Sequence, residues 1–473
     1  MDETVGNVLI TNTSMVLPHG IYVGDIRIHQ GFISEIMIDG SLELNSNEIK
    51  IDGTGLHLLP GIIDPQCHFR DPGQPEKEDL ASGSAAAVSG GVTSFLDMPN
   101  NVPSITTLEA MLEKIETAQQ KCVNNFGFFV GATPNNLTEL QRCVGDQVEA
   151  ISHPGICGIK VFMGSSTGDL LVNEEDALEQ IFSLTSGLIA VHAEDETRML
   201  ERYPDFEHRT DIGAHAEWRD DKTALIATQR AVRLAERYGH RLHILHLTSG
   251  IESEWLAGKT SLEPNRNLPA HITTETLPQH LTFNDIDVER EDTRLKMNPP
   301  IRYQQDQDEL WNGLHQGTIQ CIATDHAPHT LESKALGFPK APSGMPGVET
   351  SLPVMLTHAK FGKCTIEDVV RWMSTNVAEC YRMKNKGRIE VGFDGDVVLV
   401  DMNQEFIVKD ETSWTKVGWN PFRGIGLVGW PTTTIVGGIP VFERTSETGQ
   451  KGRILVSPGE VGSPLIMGSW SNF

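Results

Sequence analysis

Between residues 58 and 385 the chain repeats one pattern: a short apolar run, then a longer stretch with apolar positions at helical spacing. Runs ending near Asp64, Asp97, Val130, Met163, His192, Leu247, Thr274 and Asp325 predict eight strands. Stretches between them, such as Leu108–Lys121, Asn173–Leu184 and Lys222–Tyr238, predict helices. Apolar strands alternating with amphipathic helices predict a parallel sheet, and eight such units predict an α/β fold, a closed (β/α)8 TIM-type barrel. The flanks differ. Residues 7–55 hold short alternating segments such as Asp25-Ile26-Arg27-Ile28-His29, with Gly20, Gly24, Gly31 and Gly40 as turns. Residues 388–445 look alike, with Asp396–Asp401, Thr432–Val436 and Ile439–Phe442. Neither flank has strands enough to be stable alone, so both ends are expected to build one small β-sandwich beside the barrel. The expected division is residues 1–57 and 386–473 in the sandwich and tail, and 58–385 in the barrel.

Polar residues break the apolar pattern at one recurring place, the C-terminal ends of the strands, where barrels of this type carry their chemistry. His68 follows the first strand and Asn100 the second; Lys160 ends the fourth, His192 the fifth, His246 the sixth and Asp325 the eighth. Each has an ordinary explanation when taken singly. A lysine can snorkel or find a salt bridge, a histidine is more often hydrogen-bonded than metal-bound, Asp325 could cap a loop, and Asn100 reads as a turn. Their convergence on one rim reverses those odds for Lys160, His192, His246 and Asp325. It does not do so for His153, His215 or His271, which are left as structural or surface residues.

Lys160 lies in the run Gly158-Ile159-Lys160-Val161-Phe162-Met163-Gly164, where an ammonium is costly to desolvate. Its neutral amine could capture carbon dioxide, and the carbamate would be an anionic oxygen ligand. Imidazoles with carboxylates suit Zn2+. Two such ions ~3.5–4 Å apart, bridged by the carbamate, could activate water for attack on a carbonyl. Asp325 could bind metal and move a proton to a leaving nitrogen. Alternation along an extended backbone points Gln66, His68 and Arg70 to one side and Cys67 away. By the same rule His243 and His246 face opposite ways, so His243 is expected to face the surrounding helices.

With 473 residues the chain is long enough for a large and a small domain. Hydrophobic content of 39% and charged content of 22% are those of a globular protein. No apolar stretch approaches the ~20 residues of a membrane span, and Met1–Thr4 lacks the start of a signal peptide. Seven cysteines without a CxxC pair read as reduced thiols, so a cytoplasmic protein is expected. A formal charge of −26 argues against a nucleic-acid partner. It would also repel an anionic substrate, unless a local cation such as Arg70 reverses the field.

These residues resemble the amidohydrolase superfamily and, more narrowly, the dihydroorotases. The resemblance spans almost the whole chain. It runs through Asp64-Pro65-Gln66-Cys67-His68-Phe69-Arg70-Asp71-Pro72-Gly73, Asp97–Asn100, Gly158–Gly168, His192–Asp195, His246–Ser249, Lys296–Pro300, Ala323–His329 and Gly387–Asp396. It implies a metal site of His68, carboxylated Lys160, His192, His246 and Asp325, with one or two Zn2+ ions. It also implies that Arg70, Asn100 and His329 hold a substrate carboxylate while backbone near Gly344 closes over the ring. The implied reaction is reversible closure of N-carbamoyl-L-aspartate to L-dihydroorotate in pyrimidine biosynthesis, by a homodimer. Hydantoinases, dihydropyrimidinases and allantoinases are the alternatives. The first two tend to carry a tyrosine shortly after the lysine, absent from Val161–Ser166, and allantoinases usually differ at Arg70.

One departure matters. The family's first strand usually ends in His-x-His, whereas this chain reads Gln66-Cys67-His68. An amide oxygen is a weaker zinc ligand than imidazole. Three outcomes follow: two metals with Gln66 as a weak ligand, one metal with Lys160 unmodified, or an inactive paralogue acting as a protein partner.

Overall fold

The computed structural model describes residues 6–146, 151, 153–165, 170–184, 186–265 and 267–468. Ser166–Gly168, part of the segment after Lys160, lie outside these. The eight apolar runs form eight parallel strands in chain order: Ile62–Cys67, Val92–Asp97, Asn125–Gly131, Ile156–Phe162, Ile189–His192, Leu242–Ile244, Ile272–Thr276 and Cys321–Ile322. A parallel bridge between Cys67 and His326 joins the last strand's extension to the first, with the His68 amide donating to the His326 carbonyl at 2.8 Å. Asp64 ties the same seam by accepting from the Thr324 amide (3.1 Å) and hydroxyl (2.5 Å).

The helices follow from local signals. In Leu108–Lys121 the Thr107 hydroxyl caps the start at the Ala110 amide, and Met111, Ile115 and Ala118 turn one face inward. Asp221–Tyr238 is capped by Asp220 and ends at Gly239, whose φ of 66° is the left-handed stop that glycine favours. The predicted Asn173–Leu184 is shorter, Glu175–Phe182.

Alternate strand residues feed two cores. Ile62, Val92, Ile159, Val191, Leu242 and Ile244 face the helices. Ile63, Leu96, Phe129, Ala190, Leu245 and Cys321 fill the barrel interior, closed by Val377, Ala378 and Tyr381. His243 belongs with this second set, which corrects the expectation that it faces the helices. Its Nε2 lies 3.0 Å from Glu275 and its Nδ1 2.8 Å from Thr273, and its ring packs on Tyr381. Alternation failed because the regular strand ends at Ile244 and His246 takes a left-handed φ of 37°.

Both chain ends meet in one β-structure, as the flank pattern predicts. Strand Val397–Asp401 from the C-terminal part lies between His57–Pro60 and Trp430–Val436 in a nine-stranded sheet. Its core includes Val8, Ile10, Ile26, Leu58, Val397 and Leu399. All seven cysteines are buried free thiols. Among the described residues no helix is long and apolar enough to cross a membrane.

Candidate active site

At the C-terminal rim two groups of side chains face one small cavity of about 20 Å³, room for a water-sized species. The first group comes from the barrel seam. His68 Nε2 lies 2.9 Å from Asp325 Oδ1, and its Nδ1 lies 2.6 Å from Asn100 Oδ1. The Gln66 side-chain amide donates to the same Asp325 Oδ1 at 3.0 Å, while Gln66 Oε1 is buried without a partner. Cys67 points away, as alternation predicts, and donates to Asp64 at 3.1 Å.

The second group comes from the fifth and sixth strands. His192 Nδ1 and His246 Nε2 stand 3.0 Å apart. His192 Nε2 contacts Glu194 Oε2 at 2.8 Å, and Arg219 holds that carboxylate through contacts of 2.6 to 3.1 Å. Burial alone would raise the Glu194 pKa, but Arg219 and His192 hold it well below the usual carboxylate range. Burial lowers both histidines, so neutral imidazoles face each other. Glu194 and Arg219 went unrecognised in the sequence; Glu194 stands two residues after His192, the spacing that could have flagged it.

Lys160 borders the same cavity and is 1% exposed. Its Nζ sits 4.5 Å from the Phe162 ring centre, and among the described residues it has no ion-pair partner. Burial lowers its pKa to about 7, with only partial compensation from Asp325 and Glu275. Near neutral pH a large fraction of its amine is therefore in the form that reacts with carbon dioxide.

Arg70 lies beside the first group, buried, at a left-handed φ of 60°. Burial lowers its pKa to about 10, which still leaves it charged near neutral pH. Its Nη2 approaches His329 Nε2 at 3.5 Å, and that nitrogen also lies 3.1 Å from the Ser343 carbonyl. Burial and the nearby Arg70 lower the His329 pKa to about 2, so the ring is neutral. Three non-glycine residues of the site, Arg70, His246 and Asp325, take positive φ, a conformation that costs energy and recurs at functional positions.

The loop after the eighth strand closes over this rim through Ser343 and Gly344. Gly344 has φ of 129°, and a Cβ there would lie 2.5 Å from the Ala327 carbonyl oxygen, so only glycine fits. Two lysines pin the loop from behind. The Lys334 ammonium donates to the carbonyls of Lys296 (2.9 Å), Pro342 (3.0 Å) and Gly344 (2.8 Å). Lys296 donates to Pro339 and Ala341. Neither role was legible in the sequence. His215 and His271 meet backbone carbonyls away from the cavity, in structural roles.

Among the described residues no three His, Cys, Asp or Glu side chains converge closely enough to hold an ion by themselves. A cation between His192 and His246 would need Lys160, its carbamate or water to complete its shell. The donor chemistry at that position fits one. Two buried imidazole nitrogens face each other, and one ring is oriented from behind by a carboxylate, the usual support for a ligating histidine.

The chain has relatives among known proteins. The chain is similar to a dihydroorotase of Methanosarcina acetivorans, 33% identical over 452 residues and covering 94% of both chains. It is also similar to an allantoinase of Deinococcus radiodurans, 31% identical, covering 95% of this chain and 98% of that one. Among solved structures it resembles the L-hydantoinase (dihydropyrimidinase) of Arthrobacter aurescens, with a TM-score of 0.87 and 27% identity over 97% of this chain and 100% of that one. Residues 57–441, which include the whole barrel and its rim, match the Amidohydrolase family throughout, and the chain belongs to that family.

Proposed function

We propose that this protein is a dihydroorotase-type cyclic amidohydrolase that interconverts N-carbamoyl-L-aspartate and L-dihydroorotate. The observation that carries this reading is Arg70. It is a buried guanidinium with no carboxylate partner among the described residues, next to His329 and close to the Asp325 rim. A substrate carboxylate would complete it through bidentate hydrogen bonds. Neutral rings of the hydantoin type offer nothing to pair with that charge. The similarity to dihydroorotases over most of both chains supports the same choice.

In this reading a divalent ion, Zn2+ by its ligand types, would be held by His192, His246 and Lys160, with His68 and Asp325 on the facing side. Such an ion supplies Lewis-acid activation of water and of the amide carbonyl. Carbon dioxide adding to the neutral Lys160 amine would give a carbamate oxygen donor and release one proton. The chain's own groups do the rest. Arg70 and Asn100 orient the ring by its carboxylate, with His329 packed against Arg70. The closed Ser343–Gly344 backbone limits bulk water. Asp325 accepts the proton of the attacking water and returns it to the departing ring nitrogen, as general base and then acid.

The experiment is a ring-opening assay of metal-supplemented protein with L-dihydroorotate, hydantoin, dihydrouracil and allantoin. L-Dihydroorotate is expected to be the preferred substrate. Arg70→Met should lower kcat/KM for it by about tenfold or more, the effect of one lost charged hydrogen bond. Preference for a ring without a carboxylate would favour the hydantoinase reading instead. No turnover of any of the four would leave a non-catalytic member of the family.

A further inference from the structure

We infer that this chain binds a single divalent cation per subunit, on the His192–His246 side, and that the Gln66 amide closes the position where a second ion would sit. This rests on the metal-dependent reading above.

The two halves of the cavity are built differently. On one side His192 Nε2 faces the Glu194 carboxylate, which only accepts hydrogen bonds, so the proton of that neutral ring sits on Nε2. The Nδ1 lone pair is thereby directed at His246 Nε2, 3.0 Å away. Arg219 anchors Glu194 and so fixes this tautomer. A cation entering there needs only His246 to present its own lone pair. His246 Nδ1, buried and without a partner, can take the proton that Nε2 gives up.

The other side offers no such vacancy. Asp325 Oδ1 is engaged by both the Gln66 amide and His68 Nε2, at 3.0 and 2.9 Å. The second nitrogen of His68 is engaged by Asn100 at 2.6 Å. An imidazole at position 66 would bring a lone pair to this corner. The amide brings an N–H donor instead, aimed at the carboxylate that a cation would need. To ligate, Gln66 would have to rotate its oxygen inward and give up the bond to Asp325. It would then offer a neutral oxygen, a weaker donor for zinc than the imidazole it stands in for. The substitution therefore removes a ligand and also pairs off Asp325.

The test is metal content, measured by elemental analysis of the purified full chain equilibrated with Zn2+ and freed of excess. One ion per chain is expected for the natural protein and for His68→Asn, and near zero for His192→Asn. Gln66→His should raise the content to two. Near-ultraviolet circular dichroism checks that each variant is folded. Should a variant fail that check, the natural protein loaded with Mn2+ decides by electron paramagnetic resonance. An isolated-ion spectrum supports one site, and an exchange-coupled pair overturns it. Two zinc ions in the natural protein would overturn the inference, as would one ion that survives His192→Asn and is lost in His68→Asn. One ion without cyclic-amide turnover would refute the proposed activity and leave this inference standing; two ions with turnover would do the reverse.

Discussion

Lys334→Met tests whether the closing loop is held by a buried charge. Lys334 is 1% exposed, and its ammonium bonds the carbonyls of Pro342 and Gly344, which flank Ser343 in the closing loop, and that of Lys296 outside it. Burial, with Lys296 and Arg294 nearby, pushes its pKa well below the ordinary lysine value, so the charge is costly where it stands. Methionine fills similar space without that cost. The Lys296 carbonyl keeps a second donor, the Gly344 amide at 2.9 Å. The carbonyls of Pro342 and Gly344 lose the ammonium. At roughly 1–3 kcal/mol for each buried acceptor left unmade, the gross loss is about 2–6 kcal/mol. Relief of the desolvation cost and hydration of an opening loop reduce this to about 1–3 kcal/mol, expressed as loop opening rather than global unfolding. At about 2 kcal/mol, the middle of that range, KM for L-dihydroorotate rises about thirtyfold, since 1.4 kcal/mol is a factor of ten, while kcat moves less. Amide hydrogen exchange at Gly344 should accelerate by a similar factor, with the urea midpoint almost unchanged. If KM and Gly344 exchange both stay within about twofold of the natural protein, where 0.4 kcal/mol is the most that could be involved, the pinning argument is wrong.

Glu194→Gln keeps the shape behind His192 but removes the carboxylate that orients it, so zinc affinity should fall about 10- to 100-fold in a chelator competition. Unaltered affinity would mean that Glu194 serves only to pair Arg219. A pH effect is expected at Glu252, which burial raises to about 7 from the ordinary 4.5 despite hydrogen bonds from Ser249 and Thr228. Because its folded value is raised, its stabilising contribution is complete below about pH 4.5 and is lost as pH climbs through 7. The gap of about 2.5 pH units corresponds to about 3 kcal/mol. Glu252→Gln should therefore gain stability relative to the natural protein between pH 5 and pH 8 by up to that amount in urea titrations. Parallel pH profiles for the two proteins would rule this out.

The sequence by itself determined what is local. Period-two and helical spacing place the eight strands and helices such as Leu108–Lys121, because each side chain chooses its face from its own backbone turn. Polar residues at successive strand ends could be assigned to one rim because a parallel barrel puts every strand end on the same side. Alternation worked at Gln66, Cys67 and His68, where the backbone stays extended. It misplaced His243, because the left-handed turn at His246 breaks the period that the reasoning assumed. Tertiary structure decided everything that depends on closure. The Gln66 amide meets Asp325 across 259 residues, Arg219 reaches Glu194 across 25, and Lys334 gathers carbonyls from two separate segments of the chain. No local pattern carries which atom of an amide turns toward a carboxylate, or which carbonyls surround an ammonium. These are set by distances of 3 Å between segments that meet only when the barrel shuts, and hydrogen bonds depend on such distances to a few tenths of an ångström.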